Sequence, residues 1–285
     1  MPLDTLKEAI VFGMKYNLMI HFVLPQYQLP NDYYDLMNTI DHICIGEDII
    51  VCSTVPANII CDHLVIRLSI NDFINNTQKI KSIIPNIKRL NICFVDIEEF
   101  NENDICNYRL ALNEINETLI EEIKVGKIHQ VNILTDRLFL DSMKNCGAGV
   151  SNITIAPNGK FYICPAFYYD EKMHIDNLMN FKEIEYNRSV GDLSKGISIP
   201  NNHLLNLDHA PLCRKCDSYH CDRCIWLNQK LTLDNNTPSH QQCVMSHIER
   251  NASKNLANEL KGLGYMIDKI KDIEEIDYLD PIDIL

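Results

Sequence analysis

A chain of 285 residues, 46% hydrophobic and 23% charged, is long enough to bury one large core or two modest ones. Its 39 acidic against 26 basic residues give a formal net charge of −13, which repels phosphate backbones, and with no local basic patch nucleic acid is excluded as an expected partner. No apolar run reaches the length of a membrane-spanning helix and the opening MPLDTLKEAI lacks signal-peptide regions, so a cytoplasmic protein without a membrane partner is expected.

LDTLKEAIVFGMKYN, from residue 3, places its apolar residues at helical spacing, and LMIHFVL after it reads as a buried strand. NDYYDLMNTI predicts a helix, followed by short strands at HICI and IIVCS. HLVIRLS is a further strand, leading into a helix through NDFINNTQKIKSII. Strand RLNICFVDI, a long helix through YRLALNEINETLIEEI and strand HQVNILT complete the first half. Strands alternating with helices of this length predict βα units and a mostly parallel sheet over residues 1–142.

Near residue 143 the pattern changes. SNITIAPNGKFYICP shows two short β runs around Pro157, Asn158 and Gly159, and Asn-Gly is a strong hairpin turn because both residues tolerate positive φ. Residues 165–212 are polar and irregular. TPSHQQCVMSHIERNASKNLANEL then predicts a helix, with Thr237 as its cap and Pro238 at its first position. Val244, Ile248, Ala252, Leu256 and Leu260 recur every fourth residue and give it one apolar face. The end, IKDIEEIDYLDPIDIL, reads as a loosely packed acidic tail.

Twelve cysteines are many for a reducing compartment, where clustered thiols point to metal or redox chemistry before disulfides. Cys44, Cys52, Cys61, Cys93 and Cys106 are scattered, several in apolar runs, and read as small buried hydrophobes. Seven and eight residues separate the first three, too wide for a single ligand loop. Cys146, Cys164, Cys213, Cys216, Cys221, Cys224 and Cys243 occupy the second half. Cys213-x2-Cys216 and Cys221-x2-Cys224 are knuckle-like pairs that suit tetrahedral zinc. Zinc ribbons, however, separate their pairs by about a dozen residues or more, and here only four intervene. Thiols packed this closely are also found around [4Fe–4S] clusters. His209, His220, His240 and His247 lie near enough in sequence to substitute as ligands.

The full pattern, Cys146-x12-Gly159-x4-Cys164, then Cys213-x2-Cys216-x4-Cys221-x2-Cys224, then Cys243, resembles the seven-cysteine SPASM domain. That domain extends many radical SAM enzymes that modify peptides and proteins. Its usual central spacing is C-x2-C-x5-C-x3-C, so this chain is one residue shorter in each of the last two intervals. The resemblance implies two [4Fe–4S] clusters with interleaved ligands. Cys146, Cys164 and Cys224 would hold the first; Cys213, Cys216, Cys221 and Cys243 would hold the second. With three ligands counted, the first cluster leaves one iron for another protein ligand, solvent or a substrate thiolate.

The C-x3-C-x2-C loop that carries the SAM-binding cluster is absent. LMIHFVL is followed by PQYQLPNDYY, without a cysteine. Together with the long motifs NLMIHFVLPQYQLP, LNICFVDIEEF, NCGAG, APNGKFYICPAFYYD, APLCRKCDSYHCDRCIWLN and TPSHQQCVMSHIERNAS, this combination resembles the CXXX repeat peptide maturase family. The resemblance implies an α/β fold: a truncated radical-SAM-like partial βα barrel over 1–142, then a small, irregular, cysteine-rich SPASM domain over 143–285. It implies an accessory role in maturing ribosomally made cysteine-repeat peptides. The expected partners are a separate radical SAM maturase and the precursor peptide, with no SAM bound by this chain. Which residues, if any, are catalytic is open. The alternative is a zinc-stapled binding module with no redox chemistry.

Overall fold

A computed structural model describes residues 1–143, 145–170, 188–266 and 268–273, together with the backbone of 172–173 and 184–185. In chain order the first elements are α1 (Leu3–Lys15), β1 (Ile20–Val23), α2 (Asn31–Met37), β2 (His42–Ile45), β3 (Ile49–Cys52), β4 (Cys61–Leu68), α3 (Ile70–Asn75), α4 (Thr77–Ile83), β5 (Ile87–Phe94), α5 (Glu102–Lys124) and β6 (Gln130–Val131). The short elements β7 (Thr154–Ile155), β8 (Phe161–Tyr162), α6 (Pro165–Tyr169), β9 (Lys172–Met173), β10 (Ile184–Glu185), β11 (Gly191–Asp192) and β12 (Gly196–Ile197) follow. Helices α7 (Ile225–Thr232) and α8 (His240–Gly262) come last. The chain divides into two compact units, one of residues 1–47 and 146–209, the other of 48–145 and 210–285.

The larger unit is built on a four-stranded parallel sheet in the order β3-β4-β5-β6, as the alternating strand and helix patterns predict. Period-2 alternation aims Leu64, Ile66 and Leu68 of β4 and Leu90 and Ile92 of β5 at one face, in the register Leu64↔Leu90 and Ile66↔Ile92. Phe73 of α3, Ile80 of α4, Leu112, Ile115 and Leu119 of α5, and Val244, Ile248 and Leu256 of α8 join them in one buried core. Each such side chain contributes roughly 1.5–3 kcal/mol by leaving water. A buried amide adds direction: Asn116 Nδ2 of α5 donates to the Ala252 carbonyl of α8 at 2.9 Å.

Several elements differ from the sequence reading, each for a local reason. The helix expected through 71–84 breaks at Asn76, where Asn76 Nδ2 donates to the Asp72 carbonyl and Thr77 Oγ1 to the carbonyls of Phe73 and Ile74. Helix α5 starts at Glu102 rather than near Tyr108, because Asn101 and Asp104 form a capping box. Of HQVNILT only Gln130 and Val131 are strand. Asn132 then continues the pairing with its side chain: Oδ1 accepts from Ile92 N at 2.9 Å and Nδ2 donates to Ile92 O at 3.0 Å. Ser239, not Thr237, caps α8, accepting from Gln242 N at 3.2 Å. The Thr237 carbonyl instead accepts from Thr232 Oγ1 at the end of α7, a helix the apolar pattern did not show.

The scattered cysteines are less buried than expected. Cys93 and Cys106 are exposed, and Cys44, Cys52 and Cys61 are intermediate. The apolar run around Cys93 misleads because alternation sends Ile92 into the core and Cys93 to the opposite face, where it lies opposite Arg67 of β4.

In the smaller unit β1 and β2 form a parallel pair, and Leu6, Ile10 and Met37 of α1 and α2 form a core of their own. The hairpin expected around Asn158-Gly159 is present as β7–β8, with Thr154↔Tyr162 and Ile155↔Phe161 in register. Gly159 turns the chain at φ +75°, its N–H donating to Ala156 O at 2.9 Å. In the later hairpin β11–β12, a Cβ on Gly191 would stand 2.0 Å from the Gly196 carbonyl oxygen, so only glycine fits. Of the expected acidic tail, Ile270 is buried and Lys271 N donates to Leu138 O, while residues from 274 onward lie outside the described residues. Among the described residues no helix is long and apolar enough to cross a membrane.

Candidate metal centre

The stretch from Ala210 to Cys224 is held by closely spaced turns. Cys213 N and Arg214 N donate to Ala210 O, Cys216 N to Cys213 O, and Cys221 N to Ser218 O, all within 2.9–3.0 Å. Both inner cysteines accept a main-chain N–H two residues on. Ser218 N donates to Cys216 Sγ at 3.4 Å, and the Arg223 N–H favours the Cys221 thiolate. Asp222 and Arg223 then take φ of 60° and 46° in succession. Non-glycine residues in this region cost about 1–3 kcal/mol each and persist only where the surroundings hold them. Here Arg223, 1% exposed, is anchored by Nε to Asn145 Oδ1 at 2.8 Å and Nη1 to Asn236 Oδ1 at 2.6 Å. The turn ends with Cys224 as the N-cap residue of α7.

Helix α8 adds Cys243 to the four cysteines of this loop, and an unusual run of buried polar residues: Gln242, Ser246, His247, Glu249, Arg250 and Ser253. Burying polar groups on a helix is costly unless each finds a partner. All but Ser253, whose hydroxyl has no hydrogen-bond partner among the described residues, find one at the cysteines or the loop that bears them. His247 Nε2 lies 3.5 Å from Cys216 Sγ, Gln242 Nε2 donates to Cys221 Sγ at 3.6 Å, and the Ser246 hydroxyl also bonds to Cys221. Beyond them stands a ring of buried ions. Asp217 Oδ1 accepts from Arg250 Nη1 at 3.0 Å, Asp217 Oδ2 from Arg137 Nη2 at 3.3 Å, and the Asp217 carbonyl from Arg137 Nε at 2.9 Å. Glu249 accepts from Tyr108 OH at 2.5 Å and pairs with His220 Nε2 at 3.1 Å. Neither the Asp217 nor the Glu249 carboxylate is buried alone.

The thiols sense one another. Burial first, then the neighbouring Cys221 and Cys216, push the Cys213 thiol up to about 12, with the Arg223 charge opposing. Burial, then Cys221, Cys213 and Cys216, push Cys243 up to about 12 as well. Cys221 is also raised, by burial before all else. Cys213, Cys216, Cys221 and Cys243 are therefore one electrostatic group, with the same membership as the second ligand set implied by the sequence resemblance. Cys213, Cys221 and Cys243 are all raised, so a metal binding there must displace their protons. Among the described residues no three His, Cys, Asp or Glu side chains stand close enough to hold an ion as they are placed. Hydrogen bonds from the surrounding residues orient Cys216 and Cys221 as they stand. The chemistry of the donor set fits a thiophilic metal group. So do three buried polar atoms of the same shell that have no hydrogen-bond partner among the described residues: Ser218 Oγ, His220 Nδ1 and Gln242 Oε1.

Cys146 and Cys164 belong to the smaller unit. They are neighbours: Cys164 is raised by burial and further by Cys146, while the N–H groups of Phe167 and Ala166 pull it down. The hairpin β7–β8 sets Cys164, the N-cap residue of α6, two residues past Tyr162. Cys146 opens a turn in which Val150, Ser151 and Asn152 donate to Gly147 O. Gly149, at φ +74°, lies against Ile163 and Leu205 there. Cys224 belongs to the larger unit. Of the four histidines, His220 and His247 lie at the thiol group, His209 stacks edge-on with His203 in the smaller unit, and His240 is exposed at the start of α8.

Sequence reasoning did not single out Gln242, Ser246, Asp217, Glu249, Arg137 or Arg250. A signal existed in α8, where Gln242, Ser246, Glu249 and Ser253 recur at helical spacing beside the apolar stripe. Nothing in the sequence announces that Arg137 reaches Asp217, 80 residues later. No protein-family model matches this chain, and the search of curated proteins gives no significant match.

Proposed function

We propose that this chain is an iron–sulfur accessory protein, with Cys213, Cys216, Cys221 and Cys243 as the ligands of one [4Fe–4S] cluster. The observation that carries this reading is the electrostatic grouping of those four thiols inside a buried polar shell with donors aimed at sulfur. Cys146 and Cys164 are the paired thiols of a second cluster, and for Cys224 as their companion the sequence resemblance alone speaks. On this reading the parallel βα unit is the remnant of a radical-SAM-like partial barrel and the cysteine-rich segments are a SPASM-like domain.

When bound, such clusters supply one-electron transfer and an iron that can accept a thiolate. The chain's own residues bind and position. Arg137 and Arg250 fix Asp217 beside Cys216, Tyr108 and His220 hold Glu249, and the α8 donors stabilise negative charge on sulfur. The reading extends to maturation of cysteine-repeat peptides together with a separate radical SAM maturase, because this chain lacks the three-cysteine loop that starts radical chemistry. The two Cys-x2-Cys turns, each with an N–H aimed at a sulfur, also favour a second reading, a zinc-stapled binding module.

The functional test is reconstitution. With SAM and dithionite this chain alone yields no 5′-deoxyadenosine above background; adding the radical SAM maturase gives cleavage, and modification of a cysteine-repeat peptide needs both proteins. Multiple-turnover SAM cleavage by this chain alone contradicts the accessory role.

A further inference from the structure

Donors around the four-thiol group are one-sided. Cys216 Sγ takes the Ser218 N–H at 3.4 Å and lies 3.5 Å from His247 Nε2, which donates in its Nε2-protonated tautomer. Cys221 Sγ takes the Gln242 amide at 3.6 Å, with the Ser246 hydroxyl and the Arg223 N–H beside it. Neither Cys213 Sγ nor Cys243 Sγ accepts a hydrogen bond from any described residue. The Arg223 charge does favour the Cys213 thiolate, but it is the weakest influence there. Gln242, Ser246 and His247 lie on adjacent turns of α8 and are each under 10% exposed, so their amide, hydroxyl and imidazole are held in place and shielded from water. Hydrogen bonds to cluster sulfurs draw electron density off the metal and favour its reduced state.

We propose that Gln242, Ser246 and His247 are positioning residues that draw the electron of the reduced cluster onto the iron pair held by Cys216 and Cys221, raising the cluster's reduction potential. The proposal rests on the reading of Cys213, Cys216, Cys221 and Cys243 as [4Fe–4S] ligands. The step is a one-electron reduction from the 2+ to the 1+ cluster by an external one-electron donor such as dithionite, which is oxidised. No bond is made or broken. Reduction adds negative charge to the cube, and the side bearing the donors accommodates it best.

The test uses the full-length chain prepared without oxygen. The signal of this cluster is identified by its loss in Cys216→Ala, and its midpoint is read by an EPR-monitored redox titration. Gln242→Leu and Ser246→Ala are expected to keep their iron and shift the midpoint to more negative potential, the double variant further than either single one, with Ser246→Thr restoring the wild-type value. Paramagnetic NMR with labelled cysteine Cβ is expected to place Cys216 and Cys221 on the same, more reduced iron pair. If Gln242→Leu loses iron, Ser246→Ala, which removes one oxygen, carries the test. Unchanged midpoints in iron-replete variants overturn this proposal and leave the cluster reading standing. A wild-type centre that holds zinc and no iron overturns both.

Discussion

Arg250 Nη1 of α8 donates to Asp217 Oδ1 at 3.0 Å, tying the residue next to Cys216 to the helix that bears Cys243. Arg137 holds the other side of the same carboxylate, so the cysteine loop, α8 and the end of the βα segment meet at one buried ion. Removing one partner of such a network leaves the others uncompensated, at a cost of about 3–5 kcal/mol. Asp217→Ala is expected to lower unfolding stability by that order in chemical denaturation of the metal-free chain and to weaken metal retention. A loss below about 1 kcal/mol would mean the network is not held as described.

Tyr108 gives a pH dependence. Burial, then the Glu249 charge and their hydrogen bond, raise its phenol well above 10 in the folded state. The unfolded phenol titrates near 10, so the stability this adds is fully present below pH 10 and is lost as pH rises beyond it. Tyr108→Phe is therefore expected to destabilise the chain at neutral pH, because Glu249 Oε1 loses its donor, yet to lose less stability than wild type between pH 10 and 11.5. Parallel stability curves for the two proteins above pH 10 would contradict this.

Asn132 shows how far the sequence can be read. Alternating strands and helices and the Asn-Gly hairpin were legible because each is a local pattern of apolar and turn residues. HQVNILT reads as a longer strand because its apolar residues continue, but Asn132 substitutes its amide for the backbone and closes the ladder against Ile92. Asn132→Ala leaves both Ile92 polar groups without that partner and is expected to cost about 1–3 kcal/mol, read by thermal unfolding. Asn132→Asp, which keeps the acceptor and loses the donor, should fall between Asn132→Ala and wild type.

For the candidate centre, the order of the cysteines was legible and its supporting shell was not. Spacing groups Cys213, Cys216 and Cys221, and a helical pattern places Cys243 on α8. The ion pairs that hold them join residues far apart in sequence, such as Tyr108 with Glu249 and Arg137 with Asp217, which no local pattern encodes.

The two cysteine sets should be separable. On the proposal that each set holds one [4Fe–4S] unit, Cys216→Ala is expected to lose about half of the iron and keep the other cluster's EPR signal, and Cys164→Ala to lose the complementary half. Loss of all iron in both variants would mean the two sets do not bind independently.

The central claim is that Cys213, Cys216, Cys221 and Cys243, with Cys146 and Cys164, bind iron–sulfur clusters. Its most direct test is iron, acid-labile sulfide and zinc analysis of the full-length chain purified without oxygen. About eight irons and eight sulfides per chain, with zinc well below one, is the predicted result; stoichiometric zinc with little iron would contradict it.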